Sequence, residues 1–147
     1  MAVTNSTATG YYSTAAFDST ATGNNSTALF DSTANGSGAQ AFYSSTATGS
    51  GSYAYSASSA VGNNSFALYS SNAVGYSSTA ALGSNAIGNY STAVFGSNAV
   101  GNYSSATGTY SVAMGNGSTA DSAYSTAVGA YSAATDTSAT AMGAYSA

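Results

Sequence analysis

Four aspartates, Asp18, Asp31, Asp121 and Asp136, are the only charged side chains in this chain of 147 residues. Asp18 and Asp31 hold equivalent places in successive repeats, so their carboxylates would stack closely and could favour a cation such as calcium. Calcium takes roughly six to eight oxygens, and two carboxylates supply too few. A solvated acidic corner is the expectation, with no metal and no cofactor. Serine is abundant, but there is no histidine, lysine or cysteine to serve as its base or as a nucleophile. An enzyme is not expected.

Two other chemistries remain. Asn5, Asn24, Asn25, Asn35, Asn63, Asn89, Asn102 and Asn116 each open an Asn-x-Ser/Thr sequon and are candidate glycosylation sites. Asn and Ser are frequent enough for coincidence, and hydroxyl-rich columns offer O-glycan sites as well. Thr7/Thr9, Thr20/Thr22 and Thr46/Thr48 form Thr-x-Thr rows of the kind found on ice-binding β-solenoids. Asn35 interrupts that array, and aliphatic residues replace it after Thr48. With no cation, the surface cannot neutralise phosphates, so neither nucleic acid nor an anionic membrane is an expected partner. No stretch reads as a signal peptide or a membrane span, and without cysteine the redox compartment is illegible.

The elements that must position these groups follow from the alanines. From Ala8 and Ala15 through Ala21 and Ala28 to Ala99, steps of seven and six residues alternate; from Ala99 to Ala141 the step is a steady seven. Serine usually precedes each alanine by two. Such self-similarity marks a repeat architecture. Dense Gly, Ser, Thr and Asn, with two-residue alternation inside each unit, favours short strands over helix. The expected fold is an all-β parallel solenoid of about 11 coils, each of two short strands. It forms one domain over 1–147, with thirteen-residue coils over 1–96 and fourteen-residue coils over 97–147.

Within a unit, serine, alanine and the fifth residue share one parity, and this small, repetitive set is expected inside. The other parity contains Gln40, Asn72, Asn85, Asn98 and Asp121, which would be costly to bury. In the first, seven-residue unit of every coil the fifth residue is glycine, as at Gly10 and Gly75. In six-residue units it is usually bulky, as at Phe17, Phe30, Tyr43, Tyr69, Leu82 and Phe95. One reading has these bulky side chains filling inner space beside the glycine column; a compatible one gives glycine a positive φ at the turn.

The units Ser111-Val112-Ala113-Met114-Gly115 and Ser125-Thr126-Ala127-Val128-Gly129 resemble the SxAxG strands in the head repeats of trimeric autotransporter adhesins. The similarity spans nearly the whole chain and is closest from Asn72 onward. It implies a left-handed β-roll, three chains side by side, and binding to host surfaces or matrix proteins.

The outer columns then suggest where partners sit. Val61, Val74, Ile87, Val100, Met114, Val128 and Met142 form an apolar strip of roughly 30 Å at the usual strand spacing. Soluble monomers seldom expose such a strip, so it is expected to associate. Asn72, Asn85 and Asn98 run beside it as a possible amide ladder. Leu29, Phe42, Tyr55 and Leu68, with Tyr53 and Phe66, form a second apolar patch on the opposite face. The corner tyrosines Tyr12, Tyr90, Tyr103, Tyr131 and Tyr145 either stack between coils or act as adhesive groups. At the ends, Met1, Ala2 and Val3 begin in mid-unit while Ser146 and Ala147 start another, which suggests end-to-end contact. These features together suggest a non-enzymatic extracellular or cell-surface structural protein that partners itself, stacking head-to-tail into a fibre or appendage. A trimeric adhesin head on host or matrix surfaces is the alternative, and an ice-binding solenoid the second.

Overall fold

The structure is a computed structural model that describes the backbone of residues 2–147 and the side chains of residues 4–147. Met1, one of the expected end-contact residues, lies outside the described residues, as do the side chains of Ala2 and Val3. Strands of two or three residues form two parallel sheets of eleven strands each. The first sheet runs from Thr7–Thr9 to Thr140–Met142, the second from Ala2–Val3 to Ala133–Ala134. The chain alternates between them, so each pair of strands is one coil of a parallel β-solenoid. This is the expected fold.

Alanine sits on alanine throughout. Ala86 pairs with Ala99, 13 residues on, and Ala99 with Ala113, 14 residues on. In the second sheet Ala93 pairs with Ala106 and Ala106 with Ala120. From Ala15 to Ala127 the column is fully buried, and the serines two residues earlier are nearly so. These methyls and hydroxymethyls are the whole interior. At ~25 cal/mol per Å² of apolar area, alanine gives each coil little. Most cohesion must come from backbone hydrogen bonds between coils and from nearest-neighbour stacking.

The fifth position departs from the expectation. Phe17, Phe30, Tyr43, Tyr69, Leu82 and Phe95 do not fill inner space; all point outward and are 36–51% exposed. A six-residue unit must reverse direction in two residues, and both adopt left-handed backbone. Phe17 has φ 58° and Asp18 57°; Phe30 has 60° and Asp31 58°. That geometry breaks the strand alternation and swings the ring into solvent. Left-handed backbone costs an L-residue about 1–2 kcal/mol, and ring stacking offsets part of it, since an aromatic pair contributes ~0.5–1.5 kcal/mol. Phe17, Phe30 and Tyr43 stack coil on coil at 4.8 Å, with planes 3° apart.

Glycine at the other corner answers to φ and to close approach together. Gly75 has φ 137°, and a Cβ there would drive into the carbonyl of Gly88 on the next coil. The neighbouring backbone leaves no side chain that could yield.

Corner length also decides how the buried serine N–H is satisfied. After a seven-residue unit it donates within its own corner, as Ser91 N–H does to the Gly88 carbonyl at 3.3 Å. After a six-residue unit it has no such carbonyl and donates to the serine hydroxyl of the preceding coil. Ser84 N–H reaches Ser71 Oγ at 3.2 Å, and Ser97 N–H reaches Ser84 Oγ at 3.2 Å. This serine ladder stops where the coils lengthen: Ser111 N–H uses the Gly108 carbonyl. Ser111 Oγ, fully buried, is left without a partner. We therefore expect opposite outcomes from one substitution at two sites. Ser71→Ala strands the Ser84 N–H and lowers stability by about 1–3 kcal/mol, whereas Ser111→Ala is neutral or raises it by up to ~1 kcal/mol. Urea unfolding followed by circular dichroism distinguishes them.

Candidate interaction surfaces

No pocket opens among the described residues, and the exposed side chains lie on the outer faces and edges of the coil. Three surfaces are built by the repeat.

The outer face of the first sheet divides into two halves. Toward the N-terminus it carries Thr7/Thr9, Thr20/Thr22, Thr33/Asn35 and Thr46/Thr48 in register. Beyond Thr48 the column becomes Val61, Val74, Ile87, Val100, Met114, Val128 and Met142, each directly paired with the next. Strand pleating directs these side chains away from the alanine core. Val128 is half-buried; the other six range from 37% exposed at Val74 to 71% at Met142. Asn72 donates its amide to Asn85 Oδ1 at 2.8 Å, and Asn85 to Asn98 Oδ1 at 2.9 Å. The anticipated amide ladder thus exists. It runs along the edge of the strip and carries no charge.

The outer face of the second sheet brings together the other predicted patch. Tyr53 and Phe66 stack at 5.1 Å, and Phe42 lies 5.9 Å from Tyr53 and 6.5 Å from Tyr55. Leu29 and Leu68 extend the column at either end and are half-buried, as are Phe42, Tyr53 and Tyr55; Phe66 is exposed. Tyr55 also meets Tyr43 and Tyr69 edge-on at 5.2 and 5.7 Å, joining the patch to the aromatic edge of the short corners. Sequence reasoning missed that edge because it carried strand parity through the turn. The recurrence of Phe at 17, 30 and 95 was its available signal.

The long corners carry tyrosines and sequon asparagines. Tyr90 stacks on Tyr103 at 5.1 Å and Tyr131 on Tyr145 at 5.4 Å, whereas Tyr12 meets Tyr11 of its own corner. Packing against its neighbours raises the Tyr90 phenol above its ordinary value, first by desolvation and then through Tyr76 and Tyr103. Asn63, Asn89 and Asn102 accept backbone N–H groups of Ser50, Tyr76 and Asn89 on the preceding coil, at 2.9–3.2 Å. The hydroxyl of the sequon serine is turned inward at Ser65, Ser91 and Ser104 and bonds the preceding glycine carbonyl. Asn5, Asn24, Asn25, Asn35 and Asn116 also lie at corners or strand ends. Asp18 and Asp31 are exposed, with no group of three or more metal-ligating side chains among the described residues. Asp121 accepts the Thr107 hydroxyl at 2.8 Å on the second sheet.

An alanine-cored coil with two parallel sheets and exposed apolar outer columns defines the fold class, a parallel β-solenoid. The YadA head domain repeat family matches residues 17–29, 95–118, 106–132 and 120–146. The crystal structure of the collagen-binding domain of the Yersinia adhesin YadA is similar, with a TM-score of 0.63 and 29% identity. That similarity covers 88% of this chain and 70% of that one. No curated protein sequence matches the chain. The family match and the solved structure both bear out the resemblance of the SxAxG units to the head repeats of trimeric autotransporter adhesins.

Proposed function

We propose that this chain is the adhesive head of a cell-surface protein, working as three parallel copies that grip a collagen-like matrix protein. The observation that carries the reading is the exposed, uncharged column from Val61 to Met142 on a solenoid built of adhesin-head repeats. Such a strip needs a partner, and a sister copy presents the same column in the same register. The Phe42–Tyr53–Phe66 patch and the tyrosine corners then remain for the ligand. Collagen as the ligand class rests on the similar Yersinia domain, which is named for binding it.

The fibre anticipated from the sequence has weaker support than this head reading, because the solved relative is a binding domain. Ice binding is weaker still: the threonine rows are broken at Asn35 and end at Thr48.

With no cations and only four aspartates on the chain, contact with collagen should be chiefly apolar and hydrogen-bonded, and its affinity should vary little with salt. Surface plasmon resonance on immobilised triple-helical collagen checks this. We expect saturable binding that is lost on heat-denatured collagen and weakened about tenfold by Phe66→Ser. No binding to the triple helix, or binding that collapses as salt rises, would sink the proposed ligand class.

A further inference from the structure

We propose that the corner tyrosines of neighbouring coils are oxidative coupling sites, at which one-electron oxidation joins two phenols and staples coil to coil. Three pairs carry the inference. Tyr90 and Tyr103 stack at 5.1 Å with planes 9° apart, Tyr110 and Tyr124 at 6.0 Å and 24°, and Tyr131 and Tyr145 at 5.4 Å and 14°. Each pair spans successive coils, 13 or 14 residues apart in sequence. All six rings are exposed, from 47% at Tyr90 to 78% at Tyr145. An oxidant reaches them freely, and as surface side chains they can turn the small angle that brings their ortho carbons together.

The chain's composition directs the chemistry to tyrosine, and of the close tyrosine pairs these three are the stacked ones, the others meeting edge-on. Cysteine, tryptophan and histidine, the usual competitors for oxidising equivalents, are absent. Met114 and Met142 are exposed, but they oxidise by gaining oxygen and form no crosslink. The Phe17–Phe30 stack has the same geometry without hydroxyls and cannot couple. Between Tyr103 and Tyr131 the long-corner series is interrupted by Gly117, where a Cβ would meet the Tyr131 ring.

The step balances with a peroxide and a haem peroxidase as oxidant. Each phenol gives up one electron and its hydroxyl proton, leaving a tyrosyl radical with spin on the ortho carbons. Two radicals form one ortho carbon–carbon bond. The two ortho hydrogens then move to the phenolic oxygens, restoring both aromatic rings. Peroxide takes the two electrons and two protons and leaves as two waters. Holding the rings in stacked register makes the coupling effectively unimolecular. The product closes a short covalent loop across the stack, as a disulfide would in a chain that has no cysteine.

The test is peroxidase and peroxide treatment of the folded protein, followed by dityrosine fluorescence, intact mass and peptide mapping. We expect each link to remove the mass of two hydrogen atoms, to map within one chain to these pairs, and to keep its yield on dilution. Tyr124→Phe should delete the Tyr110 link alone while preserving the stack, since Phe17 and Phe30 show that phenylalanine stacks equally well. Methionine oxidation is separated by its gain of mass. The proposal is overturned if no dityrosine forms, if links join only different chains, or if urea-unfolded protein gives the same pairs in the same yield.

Discussion

Gly75→Ala should cost about 3–5 kcal/mol and split the stack of coils near its middle, a loss comparable to the most damaging single substitutions in proteins. Two separate terms add. The backbone at Gly75 has φ 137°, a region nearly closed to L-residues and worth about 1–3 kcal/mol. In addition, the new methyl would overlap the carbonyl of Gly88, and only the spacing between coils can relieve that. Gly83→Ala is the control. It too has positive φ, 76°, but a Cβ there meets nothing within 4 Å, so only the conformational cost of about 1–2 kcal/mol applies. Urea unfolding of both variants reads the difference. Equal losses would mean that coil-to-coil approach is not what reserves the long corner for glycine.

Val100→Asp should abolish association while leaving the coil intact. The side chain is 37% exposed and sits between Ile87 and Met114 in the column, so the single chain has no structural need for it to be apolar. Against a sister copy, every chain would bury an unpaired carboxylate opposite apolar groups. Such a burial costs about 3 kcal/mol or more, roughly a hundredfold in affinity per contact. The loss should reverse in part when acid protonates the aspartate. Unaltered assembly with unaltered circular dichroism would place the interface elsewhere.

The sequence disclosed most of the interior and little of the corners. Alanine and serine parity identified the buried face because a two-residue period leaves no other choice for residues that small. The amide ladder was legible for the same reason: Asn72, Asn85 and Asn98 share one column and must stack. The short corner was not. Nothing in the residue types Phe17 and Asp18 announces two consecutive left-handed residues, since phenylalanine rarely adopts that conformation. Only the missing seventh residue forces it, and with it the outward ring and the stacking edge. The serine ladder was hidden likewise, because whether a buried N–H is served by its own corner or by the next coil depends on loop geometry. The apolar columns lay plain in the sequence, but a column's composition does not say which neighbour covers it.

Sedimentation equilibrium of the unmodified chain tests the association of like columns most directly. A finite species with the mass of three 14.2 kDa chains, unchanged over a wide range of loading, is the expected result. A lone 14.2 kDa chain at every concentration, or a mass that climbs without limit as filaments would, contradicts it.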